Sequence, residues 1–404
     1  MESEEKGRAM ELVRGVYWVG AIDWNGRNFH GFTTPEGTSY NAYLVVGEKI
    51  ALVDTVKADF AGEMLERIRE IIDPAKIDYI VVNHMEMDHS GALKELKKHT
   101  DASIFITRRG RDILDGYFKP FGCDDWDFQI VRTGDQLLLG GKTLVFLEAT
   151  MLHWPDSMET FLMEDDILFS NDAFGQHIAS SRRYDYEVYE SGNLIPAAAE
   201  YYANILMPFG VPLLRYLRRL KEYGITPKQI APSHGVIWKR DLDEILKAYT
   251  AWANGKVREK VLVIYDTMWG STEIMAREIA ESARIAGVEV KLLHLRKNTR
   301  NRIMKEMLDA AAFAVGSPTL NNGVFPSVGD FLAYLKGLRP PKKKAAAFGS
   351  YGWGGGAVKT IEHELKNSGV ELLEPGIQVR YRPEESELEM CRELGKQLAE
   401  IAKR

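Results

Sequence analysis

From residue 261 onward, short apolar strands alternate strictly with amphipathic helices, and this alternation constrains the fold more than any other feature. Strands are predicted at 261–266, 288–295, 311–317 and 345–350, and helices at 272–286, 301–308, 327–337 and 356–367, before a last strand and helix. Such an alternation is typical of a parallel sheet whose strands are connected by helices. Five strand–helix units predict an α/β domain with a flavodoxin-like, doubly wound parallel sheet.

The 404 residues are too many for one ordinary core and suit two domains. The polar stretch TAWANGKVREK at 250–260 separates the alternating region from a less regular half. We therefore predict one domain over residues 1–255 and a second over residues 256–404. The first half is mixed α/β, with a hairpin at 42–54, strands at 78–82, 143–149 and 166–172, and helices at 91–99, 197–206 and 212–222.

Composition excludes several classes of protein. The net charge of -6, from 52 basic and 58 acidic residues without a basic run, gives no reason to expect nucleic acid or an anionic membrane as partner. No signal peptide and no apolar run of membrane-spanning length occur, which predicts a cytoplasmic protein. The two cysteines, Cys123 and Cys391, form no CxxC pair, so a metal bound by this chain should use nitrogen and oxygen ligands.

The stretch NHMEMDHSG at 83–91 carries the strongest chemical signal. Its pattern His84-x-Glu86-x-Asp88-His89 resembles the metal-binding signature of the metallo-β-lactamase superfamily, with a glutamate where hydrolases usually have a second histidine. Residues two apart on an extended chain point to the same side, so His84 and Glu86 can share one ion while the following turn brings Asp88 and His89 toward another. Exchanging imidazole for carboxylate at Glu86 makes the site more anionic, which favours redox-active iron over hydrolytic zinc.

Three further candidate ligands each follow a predicted strand: His153 in MLHWPDS, Asp172 in FSNDAF and His234 in PSHG. A lone histidine in a loop is more often solvated or hydrogen-bonded than a ligand. Here that explanation would have to account for the motif and for three separate residues at strand ends. The combination therefore predicts a metal centre.

Four other residues have two interpretations each. His30 in NFHGF and His177 in FGQH could donate hydrogen bonds to ligands or relay protons, or could be buried structural histidines. Tyr201 and Tyr202 in EYYANIL could border the metal pocket, or could form the core face of a helix.

Three loops in the second half follow strand ends at the same predicted edge. The first, Thr267, Met268, Trp269, Gly270, Ser271 and Thr272, opens a helix and lacks the lysine of a P-loop, so backbone N–H groups and hydroxyls would bind a phosphate. The others contain Pro318, Thr319, Leu320 and Asn321, and Ser350, Tyr351, Gly352, Trp353, Gly354 and Gly355. Each loop alone could be a plain turn, but three at successive strand ends favour FMN, with Trp353 or Tyr351 near the face of its ring.

Gly352-x-Gly354-x-x-Ala357 also satisfies a dinucleotide-binding pattern. That fingerprint belongs in the first strand–helix turn of its domain, which here carries TMWGST. We therefore do not predict a dinucleotide site.

With these motifs, essentially the whole chain resembles the flavodiiron proteins, and most closely the methanogen subgroup that oxidises a reduced deazaflavin coenzyme. The resemblance implies a metallo-β-lactamase-like αββα sandwich followed by a flavodoxin-like domain. It implies that His84, Glu86 and His153 hold one iron, that Asp88, His89 and His234 hold the other, and that Asp172 bridges them. The equivalent of His89 is a ligand in some members and is replaced by water in others.

The same resemblance implies an activity: an external two-electron donor reduces FMN, and the electrons pass to a di-iron centre that reduces dioxygen to water, detoxifying oxygen. It also implies a head-to-tail homodimer or a dimer of such dimers. Alternatives remain open, namely nitric oxide as the substrate with rubredoxin as the donor, a zinc hydrolase regulated by its flavodoxin domain, and a redox sensor.

Overall fold

The computed structural model describes residues 9–188 and 194–404, and the chain divides into two compact units. The first unit comprises Met1–Tyr201 and Val211–Thr250, and the second comprises Tyr202–Gly210 and Ala251–Arg404. The predicted domain boundary between residues 255 and 256 stays a prediction, close to the point where the chain enters the second unit for the last time.

The first unit contains two large sheets. Its strands are β1 (Met10–Val13), β2 (Val16–Trp18), β3 (Ala21–Asp23), β4 (Asn28–Phe29), β5 (Phe32–Thr33), β6 (Thr38–Tyr40), β7 (Tyr43–Val46), β8 (Ile50–Val53), β9 (Tyr79–Val82), β10 (Ser103–Ile106), β11 (Phe128–Ile130), β12 (Gln136–Leu138), β13 (Thr143–Glu148), β14 (Met158–Leu162), β15 (Ile167–Asn171) and β16 (Gln229–Pro232). The seven-stranded sheet has the order β1-β2-β7-β8-β9-β10-β11, and the five-stranded sheet has the order β12-β13-β14-β15-β16. Two small pairs, β3 with β6 and β4 with β5, complete the strands described in this unit.

The two large sheets face each other across a shared core. Val45 and Val81 from the seven-stranded sheet and Phe146 and Phe169 from the five-stranded sheet are fully or almost fully buried in one cluster. The helices that lie wholly or mainly in this unit are α1 (Ala61–Arg69), α2 (Met87–Ser90), α3 (Leu93–Leu96), α4 (Arg108–Phe118), α5 (Leu194–Tyr201), α6 (Gly210–Glu222) and α7 (Leu242–Ala253).

Helices cover the outer faces of both sheets. A second core joins the outer side of the seven-stranded sheet to α1, α3 and α4, and Tyr216 of α6 donates a hydrogen bond of 2.6 Å to Glu159 of β14. The αββα sandwich is therefore confirmed. The predicted hairpin at 42–54 is also confirmed, because β7 and β8 pair antiparallel with Tyr43 opposite Val53.

The second unit is built on a parallel sheet of five strands: β17 (Arg258–Tyr265), β18 (Glu289–His294), β19 (Ala310–Pro318), β20 (Lys344–Tyr351) and β21 (Glu371–Arg380). They lie in the order β18-β17-β19-β20-β21. Numbered within the unit, this is the order 2-1-3-4-5 of flavodoxin-like folds. The helices are α8 (Ser271–Ile285), α9 (Arg300–Asp309), α10 (Pro326–Leu338), α11 (Ala357–Asn367) and α12 (Glu385–Ala402). Every strand and helix predicted after residue 261 is present, so the doubly wound parallel sheet is confirmed.

A short segment from the first half of the sequence belongs to this second unit. The predicted helix at 197–206 is α-helical as far as Tyr201, and Tyr202–Leu206 is a π-helix. Asn204 donates to the carbonyl oxygen of Asn301 at 3.1 Å and accepts from the hydroxyl of Tyr334 at 2.7 Å. These bonds fix the segment against α9 and α10.

Among the described residues, no helix is both long enough and apolar enough to cross a membrane.

Candidate metal centre and flavin loops

All seven predicted metal ligands follow the ends of strands in the first unit. The motif from His84 to His89 follows β9, His153 follows β13, Asp172 follows β15 and His234 follows β16. In the motif, Glu86 has extended backbone, with φ −61° and ψ 142°, and the chain then turns into α2. The fold therefore brings together side chains that are far apart in the sequence.

These side chains form two groups, each with ligand atoms within 4.8 Å of one another. The first group is His84, Glu86, His153 and Asp172, and the second is Asp88, His89 and His234. Oε2 of Glu86 lies 3.2 Å from Nε2 of His84 and 3.0 Å from Nε2 of His153. Nε2 of His234 lies 3.1 Å from Oδ2 of Asp88.

Asp172 lies between the two groups. Its Oδ2 is 3.4 Å from Nε2 of His153, whereas its Oδ1 is 3.0 Å from Nε2 of His89. One carboxylate oxygen therefore faces each group, which is the arrangement a bridging ligand requires.

Burial and charge oppose each other in this cluster. Burial alone would lower the pKa of His89 and His153, but Asp172 and the other carboxylates raise both values to about 9. Conversely, burial would raise the pKa of Asp172, but the neighbouring imidazoles hold it well below its usual range. The buried carboxylates are therefore ionised and require positive charge from protons or metal ions.

The composition of the cluster fits iron. It offers three carboxylates and four imidazoles, and Cys123 and Cys391 are both absent from it. Oδ1 of Asp88 is buried and has no hydrogen-bond donor within the described part of the chain, so a ligand position remains available there.

The two predicted relay histidines have different surroundings. His30, with a left-handed φ of 47°, places Nε2 2.9 Å from Oε1 of Glu86, and this hydrogen bond raises the pKa of His30. Burial lowers the pKa of His177 well below its usual range, and its Nδ1 lies 2.9 Å from Oγ1 of Thr38. Both lie at the cluster, and their catalytic role stays a prediction.

Buried polar residues that the sequence did not single out pack beside the segments that carry the predicted ligands. Asp54 accepts from the backbone and side chain of Asn83 at 2.7 and 3.0 Å and from Asn171 at 3.4 Å. Asn171 also donates to Ser233 at 3.2 Å. Asn83, Asn171 and Ser233 immediately precede the predicted ligands His84, Asp172 and His234. This network therefore fixes three segments with predicted ligands relative to one another.

In the second unit, the first predicted flavin loop runs from β17 into α8. Gly270, with φ of 89°, precedes the helix, and within the described residues no side chain caps its N-terminus. The backbone N–H groups of the first turn can therefore bind a phosphate. Ser271 is partly exposed, whereas Thr272 is buried with its hydroxyl 2.9 Å from that of Ser350.

Asp266, which the sequence analysis missed, anchors this loop. It accepts from the N–H of Thr267 at 2.6 Å and from Arg296 at 2.9 Å. Burial would raise the pKa of Asp266, but hydrogen bonds from Ser327, Arg296 and Thr267 lower it. The only sequence signal is an acidic residue at the end of a buried strand.

The other two predicted flavin loops lie against each other. Asn321 and Asn322 have positive φ and close a tight turn in which Leu320 and Gly323 exchange backbone hydrogen bonds at 3.0 and 2.9 Å. A Cβ at Gly356 would lie 2.0 Å from the carbonyl oxygen of Asn322, so only glycine permits this approach.

Aromatic side chains are displayed beside the loops. Trp269 and Trp353 are 90% and 92% exposed, although large apolar side chains usually avoid water. Tyr351 ends β20 at the same edge. This combination of an open helix N-terminus and exposed rings fits a phosphorylated flavin, and the individual contacts stay predictions.

Comparisons with known proteins support the fold described for each unit. A family model described as "Flavodoxin" matches residues 263–395, and one described as "ODP family beta lactamase" matches residues 38–235. The chain is 48% identical to a nitric oxide reductase of Moorella thermoacetica, covering 96% of this chain and 97% of that protein. It is 44% identical to a coenzyme F420H2 oxidase of Methanothermobacter marburgensis, with 98% of each covered.

Solved structures show the same architecture over the whole chain. The rubredoxin oxygen:oxidoreductase of Desulfovibrio gigas superposes with a TM-score of 0.95 at 42% identity, covering 98% of this chain and 99% of that one. The flavodiiron protein of Giardia intestinalis superposes with a TM-score of 0.93 at 35% identity, covering 99% of this chain and 98% of that one. The flavodoxin domain and the paired ligand groups imply FMN and a di-iron centre as cofactors. The chain belongs to the flavodiiron proteins.

Proposed function

We propose that this protein reduces dioxygen to water with electrons that an external two-electron donor delivers through FMN, and that it serves in oxygen detoxification. The observation that carries the proposal is the position of Asp172, with one oxygen facing each of two ligand groups. A centre of two adjacent metal ions can bind a diatomic molecule between them. The flavodoxin fold on the same chain supplies the second redox cofactor.

FMN would supply a two-electron acceptor for the donor, and a di-iron centre would supply the electrons for reduction of dioxygen, so two donor molecules would be consumed per dioxygen. The residues of this chain hold and orient these groups. Glu86, Asp88 and Asp172 offset the positive charge of the irons, and His30 is placed to hold a proton beside Glu86. Burial holds the pKa of His177 well below its usual range, so its ring is neutral, and its Nδ1 lies 2.9 Å from Oγ1 of Thr38.

We propose a reduced deazaflavin coenzyme as the donor. Two relatives are named coenzyme F420H2 oxidase. They are 43 and 44% identical to this chain, and the comparison covers 98% of the length of each. Rubredoxin is the competing donor, because a relative at 42% identity is named rubredoxin-oxygen oxidoreductase.

Nitric oxide is the second candidate substrate. It is favoured by the identity of 48% to a protein named nitric oxide reductase, which is higher than the identity to the named oxidases. The same pair of ligand groups can bind either diatomic molecule.

Anaerobic reduction of the bound flavin with each donor, followed by addition of dioxygen or nitric oxide, tests both choices. We expect the reduced deazaflavin to reduce the flavin faster than reduced rubredoxin, and dioxygen to reoxidise it faster than nitric oxide. Faster reoxidation by nitric oxide would reverse the choice of substrate and leave the di-iron assignment intact.

Metal analysis tests the hydrolase alternative. The protein should hold two irons per chain, and Glu86→His should lower the ratio of iron to zinc, because it removes the carboxylate between His84 and His153. A full complement of zinc in wild-type protein grown with ample iron would support hydrolysis instead. A redox sensor would bind both cofactors without catalytic turnover of dioxygen. The cytoplasmic location and the head-to-tail dimer stay predictions.

A further inference from the structure

Asp156 contacts the metal centre through one of its ligands. Its Oδ2 lies 3.0 Å from Nδ1 of His84, on the side of the ring opposite to Nε2. The same oxygen accepts from the backbone N–H of Met85 at 2.7 Å. His84 is completely buried and Asp156 is 2% exposed, so water does not compete for this contact.

The surroundings of Asp156 hold it in this place. The hydroxyl of Thr107 donates to the backbone carbonyl of Asp156 at 3.0 Å, which ties the loop to the start of α4. The indole of Trp154 packs edge-on against the His84 ring, with centroids 5.0 Å apart. The loop after β13 therefore supplies a predicted ligand, His153, and the support of another, His84.

The imidazoles of the second group have different partners. Nδ1 of His234 lies 2.7 Å from the backbone carbonyl oxygen of Ser39, a neutral acceptor. Nδ1 of His89 is buried without a hydrogen-bond partner in the part of the chain that the structure describes. Asp156 thus gives the first group an anionic support that neither His89 nor His234 has through a hydrogen bond at Nδ1.

We propose that Asp156 is a positioning residue that fixes the proton of His84 on Nδ1, orients Nε2 toward the metal, and makes the metal in the first group both more firmly held and easier to oxidise. A carboxylate that accepts from the outer nitrogen of a ligating histidine increases the basicity of the inner nitrogen. A more basic ligand stabilises the ferric state more than the ferrous state. The two irons should therefore differ in retention and in reduction potential. The inference rests on the proposed di-iron centre.

Two substitutions separate the effect of orienting the His84 ring from the effect of the negative charge on Asp156. Asp156→Ala removes the acceptor, whereas Asp156→Asn keeps an oxygen of similar position but removes the negative charge. Glu159→Gln is the matched control, because Glu159 is another buried carboxyl group, three residues along the chain, whose side chain accepts from Tyr216. All variants are prepared as full-length protein with 57Fe and compared with the wild type.

We expect Asp156→Ala to bind one of its two irons about 10–100-fold more weakly than wild type, the usual effect of removing such a partner, and to lose that iron to a chelator faster. Mössbauer spectra should show one of the two iron signals changed and the other preserved. Asp156→Asn should keep both irons, but one of its two iron reduction steps should move to a higher potential. Glu159→Gln should behave as the wild type in all three measurements.

Chelation rates, iron signals and potentials that match the Glu159→Gln control in both Asp156 variants would overturn the proposal. Equal changes at both irons would also overturn it, because they would indicate general loosening of the fold. If the wild-type protein holds zinc, the proposed function fails, whereas the chelation rates still test whether Asp156 retains one metal of the pair.

Discussion

The phenol oxygen of Tyr201 lies 2.9 Å from Oδ1 of Asp172 and donates a hydrogen bond to it. This oxygen is the one that faces His89, so the phenol stabilises the carboxylate on the side of the second ligand group. Two interpretations of Tyr201 are open from the sequence, and this hydrogen bond supports the one in which Tyr201 borders the metal pocket. Tyr202, the next residue, belongs to the other compact unit.

Tyr201→Phe should weaken retention of iron. A hydrogen bond to a charged group contributes about 1.5–3 kcal/mol, and its loss leaves the buried Asp172 short of a donor. We expect iron to be released to a chelator about tenfold faster or more, since 1.4 kcal/mol corresponds to a factor of ten. The exposed Tyr223 provides the control substitution Tyr223→Phe. Equal release from both variants would show that the Tyr201 hydroxyl does not support the centre.

Replacing Ser271 and Thr272 together with alanine should weaken FMN binding. Two hydroxyls at the open N-terminus of α8 disappear, and the bond between Thr272 and Ser350 that joins two loops is lost as well. Each charge-assisted bond contributes about 1.5–3 kcal/mol, so titration should show an affinity at least about tenfold lower. Ser282→Ala, near the other end of α8, is the control. Unchanged affinity in the double variant would place the phosphate elsewhere.

Iron binding should strengthen as the pH rises. The pKa values of His89 and His153 are raised to about 9 when no metal is bound, so both rings carry protons that iron must displace. Between about pH 6.5 and 8.5, we expect the apparent affinity for ferrous iron to rise about tenfold per pH unit for each proton released. Anaerobic competition with a chelator measures this dependence. An affinity that does not change over this range would mean that the rings bind iron without losing protons.

The periodicity of apolar residues made much of the fold predictable, and the positions of polar residues after strands made candidate ligands recognisable. The helices of the second unit were recognisable because apolar residues recur along one face, as in α8 and α11. The candidate ligands were recognisable because histidines and acidic residues follow apolar strands, although their role as ligands stays a prediction. Short strands such as β4 and β5, with two residues each, carry too little pattern to be predicted.

Residues whose importance depends on distant neighbours could not be predicted. Asp156 was visible in MLHWPDS, but its contact with His84 exists only because the loop after β13 folds back over the end of β9. The π-helix at Tyr202–Leu206 continues an apparently helical sequence. Nothing local marks the change to the second unit, because the packing of Asn204 against Asn301 and Tyr334 decides it.

A mixing experiment tests the predicted head-to-tail dimer. Each domain spans tens of Å by the usual scaling of compact chains, and electron transfer slows steeply with distance. We therefore expect Trp353 of one protomer to approach the loops around His84 and His153 of its partner. Two-fold symmetry makes this exchange reciprocal. A variant with weakened FMN binding (Ser271→Ala, Thr272→Ala), freed of its flavin by dialysis, is mixed with a variant that has lost its predicted iron ligands His84 and Asp172 (His84→Ala, Asp172→Ala). The mixture should regain one working flavin-to-iron pair per mixed dimer. An inactive mixture, with subunit exchange demonstrated, would show that transfer occurs within one chain.

The reaction of the flavin-reduced protein with dioxygen tests whether dioxygen is reduced at the metal centre. Stopped-flow absorbance would follow flavin reoxidation, and hydrogen peroxide would be determined afterwards, in wild type and in Asp172→Ala with equal FMN content. We expect fast reoxidation without hydrogen peroxide in the iron-loaded wild type, and slow reoxidation with hydrogen peroxide in the variant. Equal rates with hydrogen peroxide formed by both proteins would refute the proposed function, because dioxygen would then react at the flavin and the metal centre would have no part in its reduction.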